Sequence, residues 1–130
     1  MVNKIDWNKQ LTVPVREIKE AQAKHLVVKS LLTFLVKLKY SRNLSWQRIY
    51  PEFDLDGAIP DLYHEDLKSK AVYIYEIQKQ VSKEWIDKKN KFYENYEVYN
   101  FKTVDWILID LNKCPDKINE ILVWLKEQIR

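Results

Sequence analysis

The stretch Ala71-Val72-Tyr73-Ile74-Tyr75-Glu76-Ile77-Gln78 decides the fold. Its β-branched and aromatic residues favour a strand over Ala71–Gln78. A second apolar run, residues 104–111, is too apolar to be an edge strand, so we expect it to be buried inside a sheet. Because a helical pattern separates the two runs, they predict a parallel pair of strands joined by a right-handed crossover.

The segments around this unit complete a predicted α/β order. They are a helix over 15–40, strands over 46–53 and 59–63, a charged turn over 64–70, a helix over 81–96 and a last helix that begins near Pro115. The early strands are close enough along the chain to pair as antiparallel hairpins. We therefore predict one domain over residues 1–130, with a mixed sheet flanked by helices.

Composition places the chain among globular proteins. It has 130 residues, 46% hydrophobic and 32% charged, which suits one domain with a real core. Lysines interrupt every apolar run, so none reaches the roughly 18 residues of a membrane span. The first residues lack the apolar region of a secretory signal, and the single cysteine, Cys114, cannot form an internal disulfide. These features predict a cytoplasmic protein.

The charge distribution admits two interpretations. The net charge is +3, with a pI near 8.8, and basic residues dominate the first third while acidic residues gather in the middle. A basic surround with an acidic centre is typical of a site for phosphate and a cation. Solvated surface charge is the simpler interpretation, and charge alone favours it.

Three polar residues stand out by position. Asp61 begins one predicted strand, and Glu76 and Gln78 share a face of another because side chains alternate along a strand. If the two strands pair as a hairpin, the Asp61 carboxylate faces Glu76. Two converging carboxylates repel unless a cation neutralises them, and hard oxygen ligands suit Mg²⁺ or Mn²⁺.

The motifs Ile59-Pro60-Asp61 and Tyr75-Glu76-Ile77-Gln78 resemble the active-site signature of the PD-(D/E)xK nuclease superfamily. That superfamily includes restriction endonucleases and archaeal Holliday-junction resolvases. The resemblance implies a three-layer α/β/α restriction-endonuclease-like fold with an α-β-β-β-α-β core and a C-terminal helix. It also implies that Asp61, Glu76 and the carbonyl of Ile77 hold the metal, with a further acidic residue, Glu20 or nearly as well Glu17, from the first helix.

The chain departs from the common pattern at Gln78, where most members carry lysine. An amide cannot act as a general base near neutral pH, although it can hold a water or a phosphate oxygen. Lys83, Lys24 and His64 are the candidate contacts with nucleic acid, and His64 is interpreted more simply as a solvated turn residue. His25 is interpreted as a packed or surface histidine.

The second predicted helix carries both basic and aromatic residues. Its basic residues are Lys83, Lys88, Lys89 and Lys91, and its aromatic residues include Trp85, Phe92 and Tyr93. The lysines can follow a phosphate backbone or simply be solvated, and the aromatic rings can stack on bases, although core packing accounts for most of them.

The function that the resemblance implies is metal-dependent hydrolysis of phosphodiester bonds in DNA, selective for structure rather than sequence. It also implies a homodimer, for which the apolar helices supply an interface. One alternative is a nucleic-acid-binding protein that keeps the fold without catalysis, which Gln78 favours. Another is an interaction module in which the three polar residues form only a hydrogen-bonded cluster.

Overall fold

The computed structural model describes residues 20–130, and the side chains of residues 22–130. The helices are α1 (Glu20–Lys39), α2 (Lys83–Glu94) and α3 (Ile118–Lys126), and the strands are β1 (Gln47–Pro51), β2 (Leu62–Asp66), β3 (Ala71–Gln78) and β4 (Thr103–Asp110). The order of helix, three strands, helix, strand and helix confirms the predicted α/β class. The part of the first predicted helix before Glu20 lies outside the described residues, and so does Glu17.

The four strands form one mixed sheet in the order β1-β2-β3-β4. β2 pairs with both β1 and β3 in antiparallel fashion, with Leu62 opposite Tyr75 in the second pair. β3 and β4 are parallel, with Glu76 opposite Leu108, and α2 connects them. The hairpins and the parallel pair predicted from the sequence are therefore confirmed.

The prediction that residues 104–111 lie inside the sheet is wrong for the described part of the chain, because β4 is the last strand of the sheet. Ile107 and Ile109 are nevertheless buried in the core, and Trp106 stacks on Tyr93 with ring centroids 5.6 Å apart. Both faces of this edge strand thus carry packed side chains. The apolar sequence of β4 is explained by the burial of side chains on both of its faces, and it does not require a position inside the sheet.

The second strand lies later than predicted. β2 spans Leu62–Asp66, so the first residues of the predicted charged turn are buried strand residues. The two carboxylates among them have partners: Glu65 accepts a hydrogen bond from the Tyr63 hydroxyl at 2.6 Å, and Asp66 accepts one from the Ser69 hydroxyl at 2.6 Å. Polar residues are tolerated inside a protein when they are hydrogen-bonded in this way.

Two hydrophobic clusters lie against the sheet. The first joins α1 and α3 to alternate residues of the strands, with Leu32, Tyr75 and Ile109 fully buried. The second contains Ile74 of β3 and Tyr93 of α2, with members from the loop after β1. Because side chains alternate along a strand, neighbours such as Ile74 and Tyr75 point to opposite faces, and both faces of β3 are covered. None of the described helices has the length and apolar character that crossing a membrane requires.

His64 is a fully buried residue of β2. Its Nε2 lies 2.6 Å from Gln47 Oε1, and the ring meets Tyr40 edge-on at 4.6 Å. Its Nδ1 is buried without a hydrogen-bond partner among the described residues. Burial lowers the pKa of His64 from 6.5 to about 4, with Asp66 opposing the shift, so the folded protein holds this imidazole neutral.

We expect His64 to weaken the fold in mild acid. A histidine in the unfolded chain takes up a proton near pH 6.5, whereas the buried His64 of the folded protein is protonated only near pH 4. The free energy of unfolding should therefore fall as the pH drops from 6.5 towards 4, by up to roughly 3 kcal/mol from this residue. Urea unfolding of the wild type and of His64→Leu across this range measures the effect. A stability gap between the two proteins that stays constant with pH would contradict it.

Candidate functional site

Asp61 is attached to β3 on both sides of Glu76. Its backbone N–H donates to the carbonyl of Tyr75 at 3.1 Å, and its Oδ2 accepts from the N–H of Ile77 at 2.7 Å. The β2–β3 register, with Leu62 opposite Tyr75, would place Asp61 opposite Glu76 if it continued by one residue. The hairpin therefore brings Asp61 to the part of β3 that carries Glu76.

The other carboxylate oxygen of Asp61 contacts α1. His25 Nε2 lies 3.0 Å from Asp61 Oδ1, with the two side chains 30% and 16% exposed. The hydrogen bond to Asp61 raises the pKa of His25, although burial opposes this. The sequence interpretation of His25 as a packed or surface histidine missed this contact, because nothing local to α1 indicates which residue of the sheet the helix meets.

Glu76 is buried on the side of the sheet that meets α2. Its Oε2 accepts a hydrogen bond from the Tyr93 hydroxyl at 2.8 Å and lies 2.6 Å from Lys89 Nζ. Burial and the hydrogen bond to Glu76 raise the pKa of Tyr93 strongly, and the charge of Asp61 adds to the shift. The Glu76 carboxylate therefore contacts α2, whereas the Asp61 carboxylate contacts α1.

Lys89, one of several lysines on the second predicted helix, is the one that lies at Glu76. Its ammonium group lies 5.6 Å from the ring centroid of Trp85 and 6.0 Å from that of Tyr93. Trp85, Lys89 and Tyr93 are four residues apart along α2, so they share one helix face. That spacing was the available signal, but only the packing of α2 on β3 shows that the face meets Glu76.

Gln78 makes a local hydrogen bond at the end of β3. Its side-chain amide donates to the carbonyl of Gln80 in the loop after β3, at 3.2 Å. Alternation along β3 still puts Gln78 on the same face as Glu76, as predicted. Lys89, rather than Gln78, contacts the Glu76 carboxylate.

The other predicted site residues are spread over the molecule. Lys83 is exposed at the start of α2, and Lys24 Nζ lies 3.4 Å from the carbonyl of Cys114 and 3.7 Å from Asp116. His64 is not in an exposed turn, so the prediction of its position is wrong, and its buried ring has no access to a bound strand. Glu20 begins the described part of α1, and its side chain lies outside the described residues.

The oxygen donors near β3 suit a hard divalent cation. Mg²⁺ is commonly held by one or two carboxylates, with waters and substrate phosphates completing its six ligands. Asp61, Glu76 and the carbonyl of Ile77 match that donor chemistry. Within residues 22–130, no three side chains of histidine, cysteine, aspartate or glutamate cluster closely enough to hold an ion by themselves. A cation here would need the backbone carbonyl, water or substrate as further ligands.

Comparison of the chain with protein-family models, with curated proteins and with solved structures finds no match. The resemblance to the PD-(D/E)xK superfamily therefore stays a prediction that depends on two short motifs. The functional proposal is based on the contacts of Asp61 with β3 and His25, and on the contact of Glu76 with Lys89.

The hydroxyl of Tyr93 should contribute measurably to stability. Tyr93→Phe removes the donor to the buried Glu76 carboxylate while keeping the ring, so we expect a loss of about 1–3 kcal/mol in the free energy of unfolding. Urea unfolding measures it. Tyr99→Phe is the matched control, because the Tyr99 side chain is 89% exposed. Equal stability of Tyr93→Phe and wild type would show that the hydrogen bond is unimportant.

Proposed function

We propose that this protein is a divalent-metal-dependent nuclease that hydrolyses phosphodiester bonds in DNA and selects its substrate by structure. The observation that carries the proposal is the attachment of Asp61 to β3 on either side of Glu76, with Lys89 against the Glu76 carboxylate. Two acidic groups at one stretch of β3, with a cation beside one of them, are suited to phosphoryl chemistry, in which charge on the phosphate must be stabilised.

The proposal includes a restriction-endonuclease-like fold with three layers. Its support is the element order and the mixed sheet, together with the packing of α1 and α3 against residues such as Tyr75 and of α2 against residues such as Ile74. The resemblance of the two motifs adds the nuclease activity, DNA as the substrate and a homodimer as the working form. Light scattering on the purified protein tests the last point.

In the proposed site, Asp61, Glu76 and the carbonyl of Ile77 would hold Mg²⁺ or Mn²⁺. The ion would supply Lewis-acid stabilisation of the charge that develops on the scissile phosphate. Glu76 and Asp61 would exchange their present contacts with Lys89 and His25 for this role. The freed Lys89 ammonium would then contact a phosphate oxygen.

The remaining residues have supporting roles in this proposal. Lys89 supplies the positive charge that Gln78 lacks at the usual lysine position, and the Gln78 amide can hold a water by hydrogen bonds. Glu20 of α1 remains the proposed additional acidic residue. Lys83, exposed at the start of α2, would contact a neighbouring phosphate.

A second candidate function is nucleic-acid binding without catalysis. The observation that favours it is that both carboxylates already have partners, His25 for Asp61 and the pair Lys89 and Tyr93 for Glu76. Carboxylates that are already paired in this way need no metal ion to neutralise their charge. This candidate predicts DNA binding that does not change when metal is removed.

Cleavage assays on a set of DNA structures distinguish the two candidates. Purified protein is incubated with labelled four-way-junction, flap, single-stranded and duplex DNA, in Mg²⁺, in Mn²⁺ or in EDTA. The nuclease proposal expects cleavage of at least one branched or single-stranded substrate with metal and none in EDTA. Binding without cleavage under all conditions would favour the second candidate, and neither binding nor cleavage would favour an interaction module.

A further inference from the structure

A cleft of about 500 Å³ lies between α2 and the loop that connects β1 to β2. It is lined by Gly57, Ala58, Trp85, Lys88, Lys89, Lys91 and Phe92. Its volume falls within the range of roughly 300–1,000 Å³ that is usual for small-molecule sites. The cleft can therefore accept a ligand of the size of a nucleotide.

The aromatic walls of the cleft are held in place by neighbouring rings. Trp85 meets Trp106 edge-on with centroids 6.0 Å apart, and Phe92 stacks on Tyr96 at 5.6 Å. Phe92 also lies so close to Gly57 that an added Cβ there would be 2.9 Å from its ring. The rings are thus fixed before any ligand binds, which lowers the entropy cost of stacking on them.

The charged residues that line the cleft are all lysines. Lys88 and Lys91 are exposed, and neither makes an ion pair within the described part of the chain. Lys89 is engaged by Glu76, and no acidic side chain lines the cleft itself. A positive rim attracts phosphates, while an aromatic wall offers a flat surface to any base. A nucleotide has both of these features.

We propose that this cleft binds the base of an unpaired nucleotide against Trp85 and Phe92, with adjoining phosphates on Lys88 and Lys91. The inference rests on the proposed nuclease function and defines its substrate class as DNA with an unpaired nucleotide near the cut. Lys89 lines the cleft and contacts Glu76, so a nucleotide bound here would lie near the Glu76 carboxylate. A base inside a duplex is stacked and paired, and cannot enter without being extruded.

Binding is measured in EDTA, by fluorescence anisotropy, so that the result does not depend on catalysis. The probes are a labelled single-stranded oligonucleotide, an abasic strand of the same length and a blunt duplex. Trp85→Ala should weaken binding of the base-containing strand by roughly 5- to 100-fold, and should leave the abasic strand and the duplex nearly unchanged. Trp85→Phe should restore much of the affinity, because its ring can still stack.

The proposed phosphate contacts of Lys88 and Lys91 are tested by reversing the charge of both residues. The double variant Lys88→Glu, Lys91→Glu should weaken both the base-containing and the abasic strand and lower the salt dependence of binding. Lys68→Glu, Lys117→Glu makes the same change of charge at exposed positions outside the cleft and should bind like the wild type.

The outcomes separate this inference from the proposed function. If Trp85→Ala and the double variant Lys88→Glu, Lys91→Glu both bind single strands as the wild type does, nucleotide binding in the cleft is contradicted. This holds even if the wild type cleaves DNA in Mg²⁺. An equal loss on the base-containing and abasic strands for Trp85→Ala would overturn base stacking. Binding that depends on Trp85, without any cleavage in Mg²⁺ or Mn²⁺, would support nucleotide binding in the cleft and contradict the proposed nuclease activity.

Discussion

Asp61→Asn is expected to lower the rate of metal-dependent DNA cleavage by about a thousandfold or more, because a neutral amide is a poor ligand for a hard divalent cation. Asparagine is the appropriate replacement. Its side-chain oxygen can still accept the hydrogen bond that Ile77 N–H donates to Asp61 Oδ2. The amide nitrogen can in turn donate to a neutral His25, so the local structure should survive.

The fold and DNA binding are the controls for this variant. Asp61→Asn should match the wild type in circular dichroism and should bind labelled DNA in EDTA with little change. Asp105→Asn removes one carboxylate from an exposed position of β4 and should leave cleavage intact. Full activity in Asp61→Asn would show that the catalytic site lies elsewhere.

Lys89→Met is expected to reduce cleavage by about a hundredfold or more, because it removes the cation beside Glu76 where charge on the phosphate must be stabilised. It should also destabilise the protein. The Lys89 and Glu76 side chains are only 22% and 9% exposed, and removing one partner leaves a buried carboxylate. Tyr93 still donates to that carboxylate, so the expected loss is about 1–3 kcal/mol.

A double-mutant cycle with Glu76→Gln separates the two effects of Lys89. Because Glu76→Gln removes the charge that Lys89 neutralises, Lys89→Met should cost less stability in that background than in the wild type. Urea unfolding of the four proteins measures the coupling energy. Lys68→Met, at an exposed turn between β2 and β3, is the control for loss of a lysine. Additive costs would show that the contact between Lys89 and Glu76 does not contribute.

The secondary structure was largely predictable because its signals are local. The β-branched and aromatic run in β3 and the helical periodicities identified the main elements, and short connections predicted the hairpins. The start and end of β2 were not predictable, because His64, Glu65 and Asp66 are polar residues of the kind found in turns. Their burial depends on partners such as Gln47 and Ser69, which only tertiary packing supplies.

The attachment of Asp61 to β3 was predictable because it depends on one hairpin. Asp61 bonds to the residues on either side of Glu76, and this follows from the pairing of β2 with β3. His25 and Lys89 lie on helices from separate parts of the chain, which pack against opposite faces of the sheet. Helical spacing indicates which residues share a face, but it does not indicate the docking position of that face on the sheet.

A metal site at Asp61 and Glu76 is tested by titrating Mn²⁺ against the wild type, Asp61→Asn and Glu76→Gln, with the free ion measured by electron paramagnetic resonance. A nonhydrolysable phosphorothioate oligonucleotide is present throughout, so that phosphate oxygens can complete the ligand set. We expect the wild type to bind Mn²⁺ and each variant to bind it at least about tenfold more weakly. Wild-type protein that binds no more Mn²⁺ than either variant would contradict a metal site at Asp61 and Glu76.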